Sequence, residues 1–306
     1  MGEETAQRQA ANTTDDDAFV ILHFYAPQVF PNGAFGASMG AAGNAKRISG
    51  ATGANAAGLE LTLQRFAECY ASNNPSGSTV KVVAGVTNDD VDDPKSAVTN
   101  GHGQAWGDLI VRMNNWAASA SAGYINGQVS FNGGFDPEPG FDSNVNPAKH
   151  WTNGYRAANG NWNLFYYGGG AAGCPSDKHP GYTCTWNHVD IEYMAWTAGE
   201  TTVFPQIYDE EPPEADPPTS VNAQQWQKLS LNVHLMYGRM NFSGGLSQKA
   251  DCQPDCGGAG LGPKDSWRDL WNELNCTYDP DAYECYTADD LRWTTNIAHN
   301  QETPSP

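Results

Sequence analysis

Asp136 and Glu138, two carboxylates separated by one proline, have the residue type and spacing that paired acid/base chemistry requires. Acids at i and i+2 on one strand lie close enough to raise one another's pKa, so one group keeps its proton while its neighbour is ionised. Cleavage of a glycosidic bond needs one carboxyl group in each state. A second pair, Asp190 and Glu192, repeats the spacing in Val189-Asp190-Ile191-Glu192-Tyr193-Met194-Ala195-Trp196. Uncompensated charge inside a protein is costly, so two acids on an inward face would mark a working site. Pairing with Arg or Lys near a barrel floor would make the same two acids structural.

The elements that must position these acids are short strands. In residues 128–139, Gln128, Ser130, Asn132, Gly134, Asp136 and Glu138 alternate with Val129, Phe131 and Phe135. That is the period of an extended strand with one polar and one apolar face. Pro137 and Pro139 lack the N–H that a central strand donates, so the regular strand is expected to end near Phe135, with both acids at its C-terminal mouth. In parallel barrels catalytic groups gather at that mouth. With residues 189–196 read as a strand, Asp190, Glu192, Met194 and Trp196 share its inward face; Phe204, Gln206 and Tyr208 share a face on the next strand, and His23 and Tyr25 on the first.

Strand patterns fall at residues 19–26, 81–87, 128–135, 162–167, 189–196, 202–208 and 291–297, with a weak one at 233–242. Helical periodicity covers residues 58–72, 104–122, 223–235 and 265–274, the last with Asp265 or Ser266 as N-cap. The alternation predicts an α/β protein, a somewhat irregular (β/α)8 TIM-type barrel rather than a doubly wound sheet. The expected organisation is a disordered N-terminal segment at 1–18, one barrel domain at 19–298 and a tail at 299–306. The acidic, proline-rich residues 210–220 and the cysteine-containing residues 244–264 read as long loops at the barrel mouth.

The 306 residues suffice for one large barrel, and 35 acidic against 16 basic side chains give a formal charge of −19. Such a balance speaks against nucleic acid or an anionic membrane as partner. No apolar run reaches the roughly 20 residues of a membrane span. Cys174/Cys184, Cys252/Cys256 and Cys276/Cys285 form three close pairs in loop-like sequence, with Cys69 left over on a helix. Local disulfides stapling these loops fit a secreted, extracellular protein. A zinc site at Cys252, Cys256, Cys276 and Cys285 competes, but the sequence lacks a CxxC knuckle. Residues 1–17 are polar and acidic, so the expectation is a processed leader replaced by a start Met.

Polar inward faces with Trp151, Trp186, Trp196 and Trp293 nearby in sequence would make a cleft suited to sugars, whose flat C–H faces pack on indoles. The D-x-E of Asp136 and Glu138 at a strand end, followed by Gln206-Ile207-Tyr208-Asp209, resembles the chitinase-type and lysozyme-type barrel glycosidases. Residues 19–297 are similar to secreted bacterial proteins with a glycosidase-like barrel. The resemblance implies that Glu138 is the general acid, Asp136 its electrostatic partner and Tyr208 a hydrogen-bonding group to the substrate. A full chitinase motif would place aspartates where Phe131 and Gly134 stand.

The expectation is therefore a secreted, monomeric glycoside hydrolase acting on a polysaccharide or cell-wall glycan, with no cofactor and no metal. Its catalytic candidates are Glu138, Asp136, Glu192, Asp190 and Tyr208, and its substrate-binding candidates Trp196, Gln206, His23, Tyr25, Asn132 and Trp293. A non-catalytic glycan-binding barrel is the alternative. It predicts that Asp136 and Glu138 are tied up by Arg or Lys. A serine esterase is the second alternative, since Gly36-Ala37-Ser38-Met39-Gly40 satisfies GxSxG, although Pro31-Asn32-Gly33 precedes it in place of a buried strand. Residues 168–173 satisfy GxGxxG, but Pro175 and Pro180 follow where a phosphate-binding helix would start. Asp89, Asp90, Asp92 and Asp93 read as a solvated acidic turn rather than a calcium loop. Asn12, Asn241 and Asn275 begin N-x-S/T sequons.

Overall fold

A computed structural model describes residues 5–7, 17–38, 45–48, 58–74, 77–88, 97–119, 125–139, 144–169, 186–199, 201–208, 221–247, 261–275, 291 and 293–296. The strands are β1 (Ala18–His23), β2 (Pro27–Val29), β3 (Phe35–Ala37), β4 (Lys46–Arg47), β5 (Val80–Thr87), β6 (Val129–Asp136), β7 (Leu164–Tyr166), β8 (Thr201–Val203), β9 (Gly244–Ser247) and β10 (Trp293–Asn296). The helices are α1 (Leu59–Asn73), α2 (Asn100–Ala117), α3 (Asn146–Ala158), α4 (His188–Glu192), α5 (Val221–Tyr237) and α6 (Pro263–Leu274). The protein is α/β. Its main sheet is five-stranded in the order β1-β5-β6-β7-β8, while β9 and β10 form a parallel pair and β2, β3 and β4 an antiparallel sheet. The chain divides into two compact units, residues 1–165 with 198–201, and residues 166–197 with 202–306.

In the first unit β1, β5 and β6 are parallel and in register, with Leu22 beside Ala84 beside Gly133, and His23 beside Gly85 beside Gly134. The expected alternation on β6 is present. Phe131 and Phe135 are buried, and Phe135 stacks on Trp151 of α3 at 4.3 Å. Trp106 of α2 packs on Phe24 and donates its indole N–H to the Ala84 carbonyl at 2.9 Å. Helix α2 starts where the Thr99 hydroxyl caps the His102 N–H. It crosses α3 closely because Gly103, Gly107 and Gly154 carry no Cβ: one added at Gly103 would run into the Trp151 carbonyl, and one at Gly154 into the Asn100 carbonyl. Gly133 similarly leaves room for the Tyr155 ring.

The second unit holds α4, a π-helical turn at Tyr193–Thr197, α5, β9, α6 and β10. Two parallel bridges, Val203 to Phe242 and Gln206 to Leu246, run from β8 and the segment after it to β9 and the residues before it. Trp226 of α5 packs its ring against Tyr166 and Phe242. The Ser266 hydroxyl of α6 donates to the Ile207 carbonyl at 2.7 Å.

Several expectations need correction. Residues 189–196 are helical, because Asn187 and Asp190 form a reciprocal capping box that starts α4. Residues 233–237 belong to α5, and the strand lies further on, at Gly244–Ser247, inside the stretch read as a loop. Helix α3 was absent from the expected helices; it carries Pro147 in its first turn, where proline is tolerated, and Gly154 where α2 approaches. Helix α6 begins one turn earlier than expected, with Gly262 as N-cap and Pro263 next, so neither Asp265 nor Ser266 caps it. The antiparallel sheet β2-β3-β4 had no counterpart in the sequence reading. Among the described residues the five-stranded sheet is not closed into a barrel, and the only cysteine is Cys69, free and exposed. The six paired-looking cysteines, residues 210–220 and Asp89, Asp90, Asp92 and Asp93 lie outside the described residues.

Candidate active site

The acids stand where three parallel strands end. Strand β6 finishes at Asp136, one residue beyond the expected end, and Pro137 takes the chain out of the ladder. Asp136 is the register partner of Thr87, whose hydroxyl donates to the Asp136 carbonyl at 3.0 Å. The pairing of β1 with β5 continues past His23 through Phe24 N–H to Gly85 O, 2.7 Å, and Thr87 N–H to Tyr25 O, 3.3 Å. Thr87 and Asp136 thus form one row at the carboxyl edge, with Tyr25, just past β1, accepting from the Thr87 N–H, and His23, Gly85 and Gly134 form the row beneath it. With glycines at two of those three positions, the lower row carries one side chain, His23, whose ring meets Tyr25 edge-on at 5.5 Å. Asn132 lies two residues before Gly134 on the same face of β6 and is buried.

Glu138 lies past the strand, half-buried, between two prolines. Its main chain is held by one side chain: Glu138 N–H donates to Asn88 Oδ1 at 2.7 Å, and Asn88 Nδ2 donates to the Glu138 carbonyl at 3.0 Å. Asn88 is 1 % exposed. The two carboxyl groups share a hydrogen bond. Although the residue keeps some exposure, the Asp136 carboxyl is desolvated. Burial first, then the charge of Glu138 and the bond to it, hold its pKa well above the ordinary carboxylate value. A neighbouring Arg or Lys would drive the value the other way. The result is a carboxyl pair that retains a proton where an isolated aspartate would lose it.

Of the remaining candidates of the first unit, His23 ends β1, Tyr25 lies two residues past it, and Asn132 lies on β6, with the dyad at the carboxyl ends of these strands. In the second unit the helical geometry of α4 separates Asp190 from Glu192. Residues i and i+2 on a helix point about 200° apart rather than sharing a face. Asp190 closes the capping box on Asn187, and Glu192 is buried at 4 % exposure where α4 passes into the π-helical turn. Trp196 sits in that turn, its indole N–H directed to the Tyr237 carbonyl at 3.4 Å. Gln206 is buried beside Leu246, and Tyr208 takes a main-chain bond from its N–H to Asn222 Oδ1 at 3.3 Å. Trp293 belongs to β10.

Two of the tryptophans expected near a sugar cleft are core residues. Trp151 is fully buried between Phe135 and Tyr155, and Trp186 is 1 % exposed. Ser38 directly follows β3, and its hydroxyl accepts from Ala26 N–H at 3.0 Å and donates to the Ala26 carbonyl at 3.4 Å, tying two chain segments together. Asn88 escaped the sequence reading, because no motif ties a lone asparagine to a backbone 50 positions away.

Among the described residues no group of His, Cys, Asp or Glu is arranged to hold a metal ion, and no helix is long and apolar enough to cross a membrane. No family model, curated protein or solved structure matches the chain.

Proposed function

We propose that the chain is a glycoside hydrolase in which the Asp136–Glu138 pair supplies the proton to the leaving-group oxygen. One observation carries the reading: two carboxyl groups hydrogen-bonded to each other at the carboxyl end of a parallel strand, the inner one desolvated and its pKa pushed well above the ordinary carboxylate value. Glu138, the part-exposed member, reaches the substrate and delivers the proton; Asp136, behind it, holds a proton more tightly than an isolated aspartate and shares it with Glu138 through their hydrogen bond. Asn132, His23 and Tyr25 line the face that leads to the pair and offer the donors, acceptors and ring edge that sugar hydroxyls and C–H faces use. The upward pKa of Asp136 favours this reading over a glycan-binding barrel whose acids are neutralised by cations.

The strand sequence supports a (β/α)8-type barrel as the scaffold. Along β1-β5-β6-β7-β8, neighbours in space follow chain order without reversal, and the bridges at Val203 and Gln206 continue that order to β9 and β10. A doubly wound sheet reverses order at its switch point. The resemblance of Asp136-x-Glu138 and Gln206-x-Tyr208 to chitinase-type and lysozyme-type glycosidases points to a polysaccharide or cell-wall glycan as substrate. The acidic surface and the paired cysteines agree with action outside the cell. A product screen against soluble and insoluble glycans, with Glu138→Gln run beside the natural protein, tests the assignment. New reducing ends from the natural protein alone establish it; equal activity in both removes Glu138 from the mechanism, and silence from a folded protein removes the glycosidase.

A further inference from the structure

We propose that Asn88 is a positioning residue, which sets the distance between the two acids by clamping both main-chain polar groups of Glu138. The inference rests on the reading of Asp136 and Glu138 as the working pair and names what holds them. Asp136 needs no such device, because it is the last residue of β6 and lies in the ladder opposite Thr87. Glu138 lies beyond the ladder, and the prolines on both sides of it have no N–H to give. The backbone hydrogen bonds that a neighbouring strand would provide come instead from a primary amide. Its Oδ1 accepts at 2.7 Å and its Nδ2 donates at 3.0 Å, the two-point pattern of a strand partner.

Asn88 directly follows β5, whose last residue Thr87 is the register partner of Asp136. The clamp and the inner acid are therefore referenced to the same rung of the sheet. The side-chain amide is itself buried at 1 % exposure, so both of its polar ends need partners, and Glu138 supplies both. An amide carries its donor and its acceptor on separate atoms of one short stem, so it can bond both main-chain groups at once; a serine hydroxyl has only one atom for both and a shorter reach, aspartate lacks the donor and leucine lacks both. Other side chains satisfy the β6 backbone in a comparable way nearer its start, where Asn114 bonds both polar groups of Phe131 at 2.8 and 2.9 Å. That pair is remote from the acids and serves the fold alone. On β1 and β5 the titratable groups that share the sheet face with Asp136 are His23 and Lys81, and Tyr25 stands just past β1 with its ring against His23.

The test is the titration of the Asp136 carboxyl carbon, followed by NMR in the full chain. Asn88→Ala and Asn88→Ser are compared with Tyr70→Phe, which removes the buried bond from Tyr70 to the Ser78 carbonyl before β5 begins. With Glu138 released, the Asp136 midpoint is expected to fall by a unit or more in the Asn88 variants and to stay in place in Tyr70→Phe. Where glycan cleavage is measurable, kcat should fall at least tenfold with KM little changed, and the limb of the pH profile set by the pair should move with the titration. Asn88→Ser serves if the alanine variant does not fold. An unmoved midpoint in folded Asn88 variants, or an equal shift in Tyr70→Phe, overturns the positioning role. The titration needs no substrate, so absence of glycan cleavage with a shifted midpoint rejects the glycosidase and keeps the clamp.

Discussion

The indole N–H of Trp151 donates to Nδ1 of His102 at 2.9 Å, which leaves the other ring nitrogen, Nε2, to donate to the Gly36 carbonyl at 2.7 Å. One tautomer of a neutral imidazole satisfies both contacts, and protonating Nδ1 would set two donors against each other. Burial pushes the His102 pKa down from 6.5 to about 4, while the bond to Gly36 pulls weakly upward.

The sign of the resulting pH dependence is fixed. Above pH 6.5 neither the folded nor the unfolded chain protonates this ring, and the native contacts are intact. Between 6.5 and about 4 the unfolded chain binds a proton that the folded one refuses, so stability declines as the pH falls. The full loss is ~3 kcal/mol. Denaturant unfolding at stepped pH should show this decline, and His102→Gln, less stable at neutral pH, should show a flatter acid limb. A slope unchanged by the substitution would mean that another group causes it.

The opposite sign applies to Asp136, whose folded pKa is raised. Its contribution is fully present below the ordinary carboxylate value of 3.8 and is lost as the pH climbs through the folded value. Asp136→Asn, which keeps shape and hydrogen-bonding capacity, should therefore raise Tm at neutral pH relative to the natural protein and give no gain near pH 3. Activity should fall in the same variant, since the proton reserve is gone. Calorimetry at the two pH values checks the crossing. A neutral-pH Tm that drops instead would mean that the carboxylate is held by stabilising partners rather than strained.

Glu138→Gln separates chemistry from folding. A side chain at the end of a strand, half-buried, should change Tm by no more than a degree or two, whereas loss of a general acid costs about 10²- to 10⁴-fold in rate. Product formation measured beside a thermal melt decides between the two roles. Unfolding of the variant would place Glu138 among the structural residues.

How far the sequence reveals such a site depends on the reach of the signal. The alternation of Val129, Phe131 and Phe135 with polar residues is local, and so is the stop at Pro137, which is why β6 and the position of its two acids were legible. The same alternation misled at residues 189–196, where Val189, Ile191 and Tyr193 also suit a short helix. The deciding signal was the Asn187-x-x-Asp190 cap, visible in the sequence but outweighed by the period. The burial of Trp151 has a different origin: it is set by Phe135 and His102, far away in the chain, as well as by Tyr155 one turn on in α3. The clamp by Asn88 is of that second, non-local kind.

The crossing of α2 and α3 gives a stability prediction on the same footing. Gly103 and Gly107 are one turn apart on α2, and a Cβ at either meets α3 backbone, while one at Gly154 of α3 meets the Asn100 backbone of α2. Backbone cannot move aside as a flexible side chain can. Gly103→Ala and Gly154→Ala should each cost at least the roughly 1–3 kcal/mol of overpacking, outweighing the gain in helix propensity of about 1 kcal/mol. Urea midpoints measure the balance, and a stabilised alanine variant would show that the helices can separate.

Asp190 tests the reassignment of the second acid pair. As a capping residue its carboxylate accepts from Asn187 N–H at 3.3 Å while the Asn187 side chain accepts from Asp190 N–H at 3.0 Å, so the two act as a unit. Asn187→Ala and Asp190→Ala should each lower stability by about 1 kcal/mol, and the double variant by less than the sum, since either change opens the box. Product formation at a temperature where all variants are folded should remain that of the natural protein. A hundredfold loss in Asp190→Ala with Asn187→Ala unaffected would return Asp190 to the chemistry, because a lost cap is common to both and cannot separate them.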